Sequence, residues 1–455
     1  MVAVQAVQSE ARTRPLKELA REIFLEALEE AEVGRLFEKK FDRRPSTALG
    51  TRGSVLQFGA PSAVLPSASL GPGGTRESVD LDAFKNIWVF SVGKAAWTTF
   101  QALCDVLGEK YRPKRGVIVS NLPPQPAAPG FATFQASHPY PDERSLAAAE
   151  ALLEGARAAD ERTLVFFLIS GGGSALVEKP LEKSVRLEDL TELNRVLVRC
   201  GASIDEINAI RKHLSAIKGG RLAAAAAKAH QVTLLLSDVP EGNLAATASG
   251  PTVPDPTTVE TCYRVAEQYD LLPRFPASIR ALFEQKKLQE TLKPGAEAFR
   301  RSQVFLVASN RDVLHAAHRA AGARGFVVEC DNTSDEWEFR RAAECLLERL
   351  EQVRRENPGQ PVCLLAGGEV LVKVTGDGVG GRNQALVLEC IEKISGREVA
   401  VLSAGTDGLD GNSPAAGAVA DGETLARARA LGLDPQESMR RSDSYHFFEA
   451  LGDTL

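Results

Sequence analysis

What the chain lacks narrows its role before any motif is considered. It has no block of basic residues. Its 54 Lys+Arg face 60 Asp+Glu over 455 residues, a net charge of −6, and that balance lacks the electrostatic footprint of a nucleic-acid binder. Long apolar runs are missing as well. Stretches such as Thr163 to Ile169 and Val232 to Leu236 fall far short of a bilayer span, so no membrane helix is expected. The first fifteen residues hold Arg12 and Arg14 but no apolar region, which argues against a secretory signal and gives a transit peptide little support. Seven cysteines, Cys104, Cys200, Cys262, Cys330, Cys345, Cys363 and Cys390, stand singly, with no C-x-x-C pair and no histidine at ligand spacing. They read as reduced, mostly buried thiols, and the expected compartment is the cytoplasm.

What is present is an ordinary globular mix, 44% hydrophobic and 25% charged, long enough for roughly two to four domains. Leu16 to Val33 carries apolar residues at helical spacing. Gly34 to Asp80 turns to Gly, Pro and Ser, and reads as an irregular excursion with a short hairpin, ending in Gly71-Pro72-Gly73-Gly74. Short apolar strands then alternate with helical stretches. The strands expected are Ile87 to Val92, Gly116 to Ser120, Leu164 to Ile169, Val232 to Leu236, Val304 to Val307, Val362 to Leu365 and Val399 to Leu402. Continuous Val/Ile/Leu runs of this kind belong to strands buried on both faces, which predicts an α/β fold with a mainly parallel sheet. The charged, Pro- and Gly-containing zone from Thr291 to Phe299 marks a candidate boundary before a second, smaller α/β domain.

In such sheets ligands bind at the strand C-termini, where helix N-termini present amides to anions. Four strand ends carry unusual punctuation. Ser91-Val92-Gly93-Lys94-Ala95 places a lysine at the expected first turn of a helix, where a cation opposes the macrodipole unless an anion offsets it. Ser170-Gly171-Gly172-Gly173-Ser174 has more glycine than a tight turn requires, and reads as a backbone cradle for phosphate. It matches neither G-x-x-x-x-G-K-[ST] nor G-x-G-x-x-G. Asp238 follows a buried strand, as a cap, a base or a metal ligand, with Ser249-Gly250-Pro251-Thr252 downstream. The densest region holds Gly367-Gly368-Glu369, Gly380-Gly381-Arg382-Asn383 and Gly405-Thr406-Asp407-Gly408-Leu409-Asp410. Arg382 opens a helix and is placed to hold a phosphate or carboxylate, the alternative being an ion pair with a nearby acid. The aspartates there miss the EF-hand spacing, which excludes that calcium loop. Arg211, Lys212 and Lys218 beside His213 either surround an anion or form a solvated basic face, and His138 reads as a structural loop histidine.

Ser91 to Ala95, Ile169 to Ala175, Asn208 to Ser215, Ser237 to Pro240 and Ala248 to Thr252 together resemble the N-terminal domain of the glycerate 2-kinase family. Ala366 to Glu369, Gly380 to Gln384 and Ala404 to Gly408 resemble that family's C-terminal MOFRL domain. The resemblance implies a Rossmann-like domain over 15–290, an α/β domain over 300–455 and an active site in the cleft between them. It also implies ATP-dependent phosphorylation of D-glycerate to 2-phosphoglycerate, with Mg²⁺ expected. Lys94 and Arg382 fall on the family's active-site lysine and arginine, and Asp238 is assigned as general base or Mg²⁺ ligand. Ser170, Gly171, Gly172, Gly173, Ser174, Ser249, Gly250, Glu369, Asn383 and Asp407 are assigned to substrate and nucleotide. Two departures stand out. The family loop after Ser-Asp-Val continues Gly-Asp-Asp-Pro, where this chain has Pro240-Glu241-Gly242-Asn243. Family members also continue past Asp443 to Phe448 into a Thr-Gly-Pro-Thr-Gly-Thr-Asn-Val-type segment that this sequence does not include, so the second domain is expected to be cut short. The alternatives are a hydroxypyruvate reductase, against which the missing dinucleotide fingerprint argues, and a non-catalytic nucleotide- or acid-binding protein. Assembly into a homo-oligomer is left open.

Overall fold

A computed structural model describes residues 2–5, 15–46, 53–58, 78–125, 129–237 and 241–455. Arg12, Arg14, Gly71 to Gly74 and Asp238 lie outside the described residues. The chain divides into two compact units, Val33–Ser309 and Met1–Glu32 with Asn310–Leu455.

The Val33–Ser309 unit is built on a six-stranded, all-parallel sheet in the order Ser302–Ser309, His230–Ser237, Thr163–Ile169, Asn86–Val92, Arg115–Ser120, Phe131–Gln135. Successive side chains of a strand point to opposite faces. Val89 and Phe166 therefore meet Trp97, Phe100 and Leu103 of helix Ala96–Leu107 on one side. Phe90, Phe167 and Ile169 meet Leu152 and Leu153 of helix Glu143–Ala158 on the other. Both faces are covered, which is why the strands read as unbroken apolar runs. Phe131–Gln135 escapes that signal because it lies at the sheet edge and is largely half-buried. Helices Leu187–Val198, Ile204–Leu214, Val259–Gln268 and Ala277–Glu284 share a separate apolar cluster. The excursion before Asp80 contains a three-stranded antiparallel sheet, Phe41–Ser46, Gly53–Phe58 and Ser78–Asp80, rather than a single hairpin.

The other unit has a mixed five-stranded sheet in the order Val327–Cys330, Val362–Leu365, Val2–Gln5, Ala400–Ala404, Gly417–Asp421. Val2–Gln5 runs antiparallel to both its neighbours. Helices Leu16–Glu30 and Asn310–Ala323 pack together on one face through Leu19, Ile23, Ala316 and Ala320. Helices Phe339–Glu356 and Arg382–Ile394 cover the other through Leu346, Leu350, Val387 and Ile391. The division thus runs after Ser309 and assigns Leu16–Glu30 to the later residues. Strand Ser302–Ser309 finds its ladder partner in His230–Ser237, and the apolar stripe of Leu16–Glu30 finds its cover on alanines nearly three hundred residues away.

Candidate active site

At the C-terminal end of strand Asn86–Val92 the chain turns through Gly93 at φ +131°, where a Cβ would lie 2.0 Å from Ser170 Oγ. Only glycine tolerates that approach. It lets Lys94 N donate to Gly171 O at 3.0 Å and Ala95 N donate to Ser170 Oγ at 3.2 Å. Two neighbouring strand ends are thereby stitched together. The helix starts at Ala96, so Lys94 precedes its first turn instead of occupying it, drawn aside by the bond to Gly171. Gly172 is left-handed, φ +82°, and a Cβ there would meet Lys94 Cγ at 3.1 Å and His138 Cδ2 at 3.3 Å. Lys94 and His138 therefore flank the glycine loop. His138 follows strand Phe131–Gln135, and its position at a strand end could be read only once that strand was known. Gly173 opens the short helix Gly173–Leu176, whose first amides have no intrahelical acceptor. Among the described residues the backbone N–H groups of Gly171, Gly172, Gly173 and Ser174 donate to no other residue, a set of donors suited to an anion.

The Ser249 loop forms the next wall. Ala248, Ser249 and Gly250 are consecutively left-handed, with φ of 50°, 59° and 60°. Non-glycine residues in that region cost of order 1–3 kcal/mol each and persist only where the surroundings fix them. Here Gly219 N donates to Ser249 O at 3.2 Å and Gly220 N to Gly250 O at 2.8 Å. Ser249 Oγ lies 2.7 Å from Ser174 Oγ, which ties this loop to the glycine loop. Ser237 Oγ, at the end of its strand, lies 2.8 Å from Thr247 Oγ1.

The basic helix Ile204–Leu214 is not a solvated face. Lys212 is 4% exposed and Lys218 is fully buried. Lys212 Nζ pairs with Asp255 Oδ1 at 3.2 Å, and Lys218 Nζ pairs with Glu178, which also accepts from Ser215 Oγ at 2.6 Å. Burial lowers the Lys218 pKa, against the pull of Glu178. His213 is buried as well; its Nδ1–H donates to Ala209 O at 2.7 Å.

In the unit that contains residues 310–455, Arg382 is the first residue of helix Arg382–Ile394 and forms an ion pair with Glu369, both side chains about half exposed. The pairing with a nearby acid is thus the arrangement seen. Asn383 points inward: its Nδ2 donates to Asp410 Oδ1 at 3.1 Å and its Oδ1 accepts from Ser403 Oγ at 2.8 Å. Asp410, 1% exposed, takes the amides of Asn383 at 3.0 Å and Gln384 at 2.8 Å and so caps the helix from a distant loop. Burial raises the Asp410 pKa in spite of those donors. Gly381 is required there, since a Cβ would stand 2.3 Å from Asp410 Oδ1. Asp407 Oδ1 accepts the Leu409 amide at 3.3 Å within its loop. A cavity of about 100 Å³ opens beside Glu369 and Asn383, floored by Leu314, Leu346 and Leu386.

Among the described residues no three His, Cys, Asp or Glu side chains converge as metal ligands. No helix among them is long and apolar enough to cross a membrane.

The parallel sheet thus carries its glycine loops at the strand ends, where open α/β sheets bind ligands. Residues 19–284 match the family described as a domain of unknown function, DUF4147, and residues 362–455 match the MOFRL family. D-glycerate 2-kinase of Thermotoga maritima is 38% identical over 80% of this chain and 85% of its own. Glycerate 2-kinase of Pyrococcus horikoshii is 37% identical over 81% of this chain and 83% of its own. A crystal structure of glycerate kinase from Thermotoga maritima superposes with a TM-score of 0.75 at 34% identity, covering 97% of this chain and 95% of that one. The chain belongs to the glycerate 2-kinase family, with its DUF4147 and MOFRL domains.

Proposed function

We propose that the chain is a cytoplasmic D-glycerate 2-kinase that transfers the γ-phosphoryl group of ATP to the 2-hydroxyl, giving 2-phosphoglycerate and ADP. The observation that carries this reading is the Gly171 to Ser174 loop, whose backbone N–H groups donate to no other described residue and which the Lys94 N–H to Gly171 O bond holds beside Lys94. The names of the relatives support the choice of substrate. In the transfer the hydroxyl oxygen bonds to the γ-phosphorus as the β–γ bridging bond breaks, with its electron pair leaving on ADP. Charge builds on the phosphoryl oxygens, so catalysis is mostly positioning and neutralisation. Lys94, Arg382 and the Gly171 to Ser174 amides are assigned that neutralisation, with Ser170, Ser249 and Gly250 shaping the loops. Asp238 is assigned the hydroxyl proton. Glu369 and Asn383 set the Arg382 side chain and its helix, and Asp407 is assigned to the ligand. Mg²⁺ bound with the nucleotide would supply charge neutralisation on its phosphates.

The test is a coupled ADP assay run beside an NADH-linked assay with hydroxypyruvate, and calorimetry with ATP and D-glycerate. D-glycerate-dependent ADP formation is expected. NADH oxidation without ADP formation would replace the kinase with a hydroxypyruvate reductase, and binding without either product would leave a non-catalytic binder.

A further inference from the structure

The described part of unit Val33–Ser309 holds a guanidinium whose charge nothing balances at contact distance. Arg211 lies on helix Ile204–Leu214 between buried neighbours and is itself half-buried. Its Nε is enclosed and has no hydrogen-bond partner, and Nη1 makes one long bond, 3.4 Å, to Asn208 Oδ1. No carboxylate among the described residues comes within 4.0 Å of it. The acids around it are taken: Glu178 by Lys218 and Ser215, Asp255 by Lys212, Thr257 and Thr291. Arg211 thus lies beside two buried ion pairs, Lys218 with Glu178 and Lys212 with Asp255, and belongs to neither. An arginine stays charged in proteins, so a half-buried guanidinium with an enclosed Nε and no counter-charge in contact is stabilised by a ligand that supplies one.

Its surroundings say where that ligand would sit. Asn208 Oδ1 accepts from Ser249 Oγ at 3.4 Å, and Ser249 Oγ lies 2.7 Å from Ser174 Oγ. The guanidinium thus lies two side-chain contacts from Ser249 and three from the glycine loop. We propose that Arg211, with Ser249 and Ser174, is the seat of the substrate acid's carboxylate. A single guanidinium outside any ion pair matches a monoanion, and the neighbouring Glu178 carboxylate would repel the several charges of a triphosphate. A planar guanidinium offers two parallel donors to a carboxylate, and the hydroxyls complete the set. Arg211 then selects acids over neutral alcohols. This rests on the kinase reading for its substrate, but not for its binding chemistry.

The experiment measures D-glycerate and its neutral amide, D-glyceramide, against the wild type, Arg211→Gln and Arg211→Lys by calorimetry, with KM values for D-glycerate and ATP alongside. In Arg211→Gln, D-glycerate should bind at least tenfold more weakly, with Arg211→Lys between, while D-glyceramide binding and the ATP KM stay within about twofold. Equal D-glycerate affinity in wild type and folded Arg211→Gln would overturn the proposal, as would a rise confined to the ATP KM, which would make the site a phosphate seat. If Arg211→Gln does not fold, the wild type decides, because binding D-glycerate no better than D-glyceramide would also overturn it. Absence of ADP formation by the wild type would remove the kinase reading and leave the binding comparison standing.

Discussion

Replacing Gly172 by alanine probes the glycine loop at its closest approach to Lys94 and His138. Two costs can be worked from the geometry. A left-handed alanine costs about 1–2 kcal/mol, and Gly172 is held at φ +82°. The added Cβ would stand 3.1 Å from Lys94 Cγ and 3.3 Å from His138 Cδ2, contacts tight enough that one of the side chains must move. Lys94 is the softer neighbour, because an off-rotamer lysine costs only of order 0.5–1.5 kcal/mol. Stability should therefore fall by about 1.5–3.5 kcal/mol, while the Lys94 side chain is shifted from its place beside the loop. Loss of that contact in the transition state should lower kcat/KM at least tenfold, about 1.4 kcal/mol of barrier. Gly201→Ala supplies the control, since Gly201 has φ +86° with nothing within 4 Å of the added carbon. It should lose about 1–2 kcal/mol and no activity. Urea denaturation gives the stabilities and the coupled ADP assay gives kcat/KM. Wild-type turnover in Gly172→Ala, at a stability equal to that of Gly201→Ala, would refute the assignment of this loop to the ligand.

Lys94→Met and Arg382→Met should each lower kcat/KM at least tenfold. For Arg382→Met the melting temperature should hardly change, because its ion pair with Glu369 is half exposed and pairs of that kind contribute about 0–1 kcal/mol; undiminished turnover in either variant would remove that residue from the reaction. Acid stability should depend on His213. Burial holds its pKa below the usual 6.5, against the hydrogen bonds to Ala209 and Glu290 that raise it. As pH falls through about 6.5 the unfolded chain takes up a proton that the folded chain refuses, so stability drops by at most about 1.4 kcal/mol per pH unit. His213→Gln should flatten that slope between pH 7.5 and pH 5, leaving the part due to His230, whose pKa burial also lowers. An unchanged slope would show that His213 is not the group responsible.

The sheet of Val33–Ser309 was legible because its strands are buried on both faces, and a strand so placed must be apolar at every position. Thr163–Ile169, buried throughout, is the extreme case. Legibility stopped where local pattern ceases to carry the constraint. Phe131–Gln135 is an edge strand that alternates weakly, and with it went the position of His138. Asp410 shows the same limit from another side. Its sequence neighbours suggest a cation loop, yet its carboxylate is spent on the first amides of helix Arg382–Ile394, twenty-six to twenty-seven residues away, a pairing only the fold creates. Glycine loops were readable in the opposite way, since what identifies them is a side chain that cannot exist. At Gly93 and Gly381 a Cβ would fall 2.0 and 2.3 Å from a neighbouring oxygen, so the sequence had to spend glycine there whether or not a ligand comes. That distinction sets what glycine can testify to. Gly93 and Gly381 are explained by packing alone, whereas the added carbon at Gly172 would meet only the side chains of Lys94 and His138, so what requires glycine there is its left-handed φ of +82° rather than a close backbone neighbour.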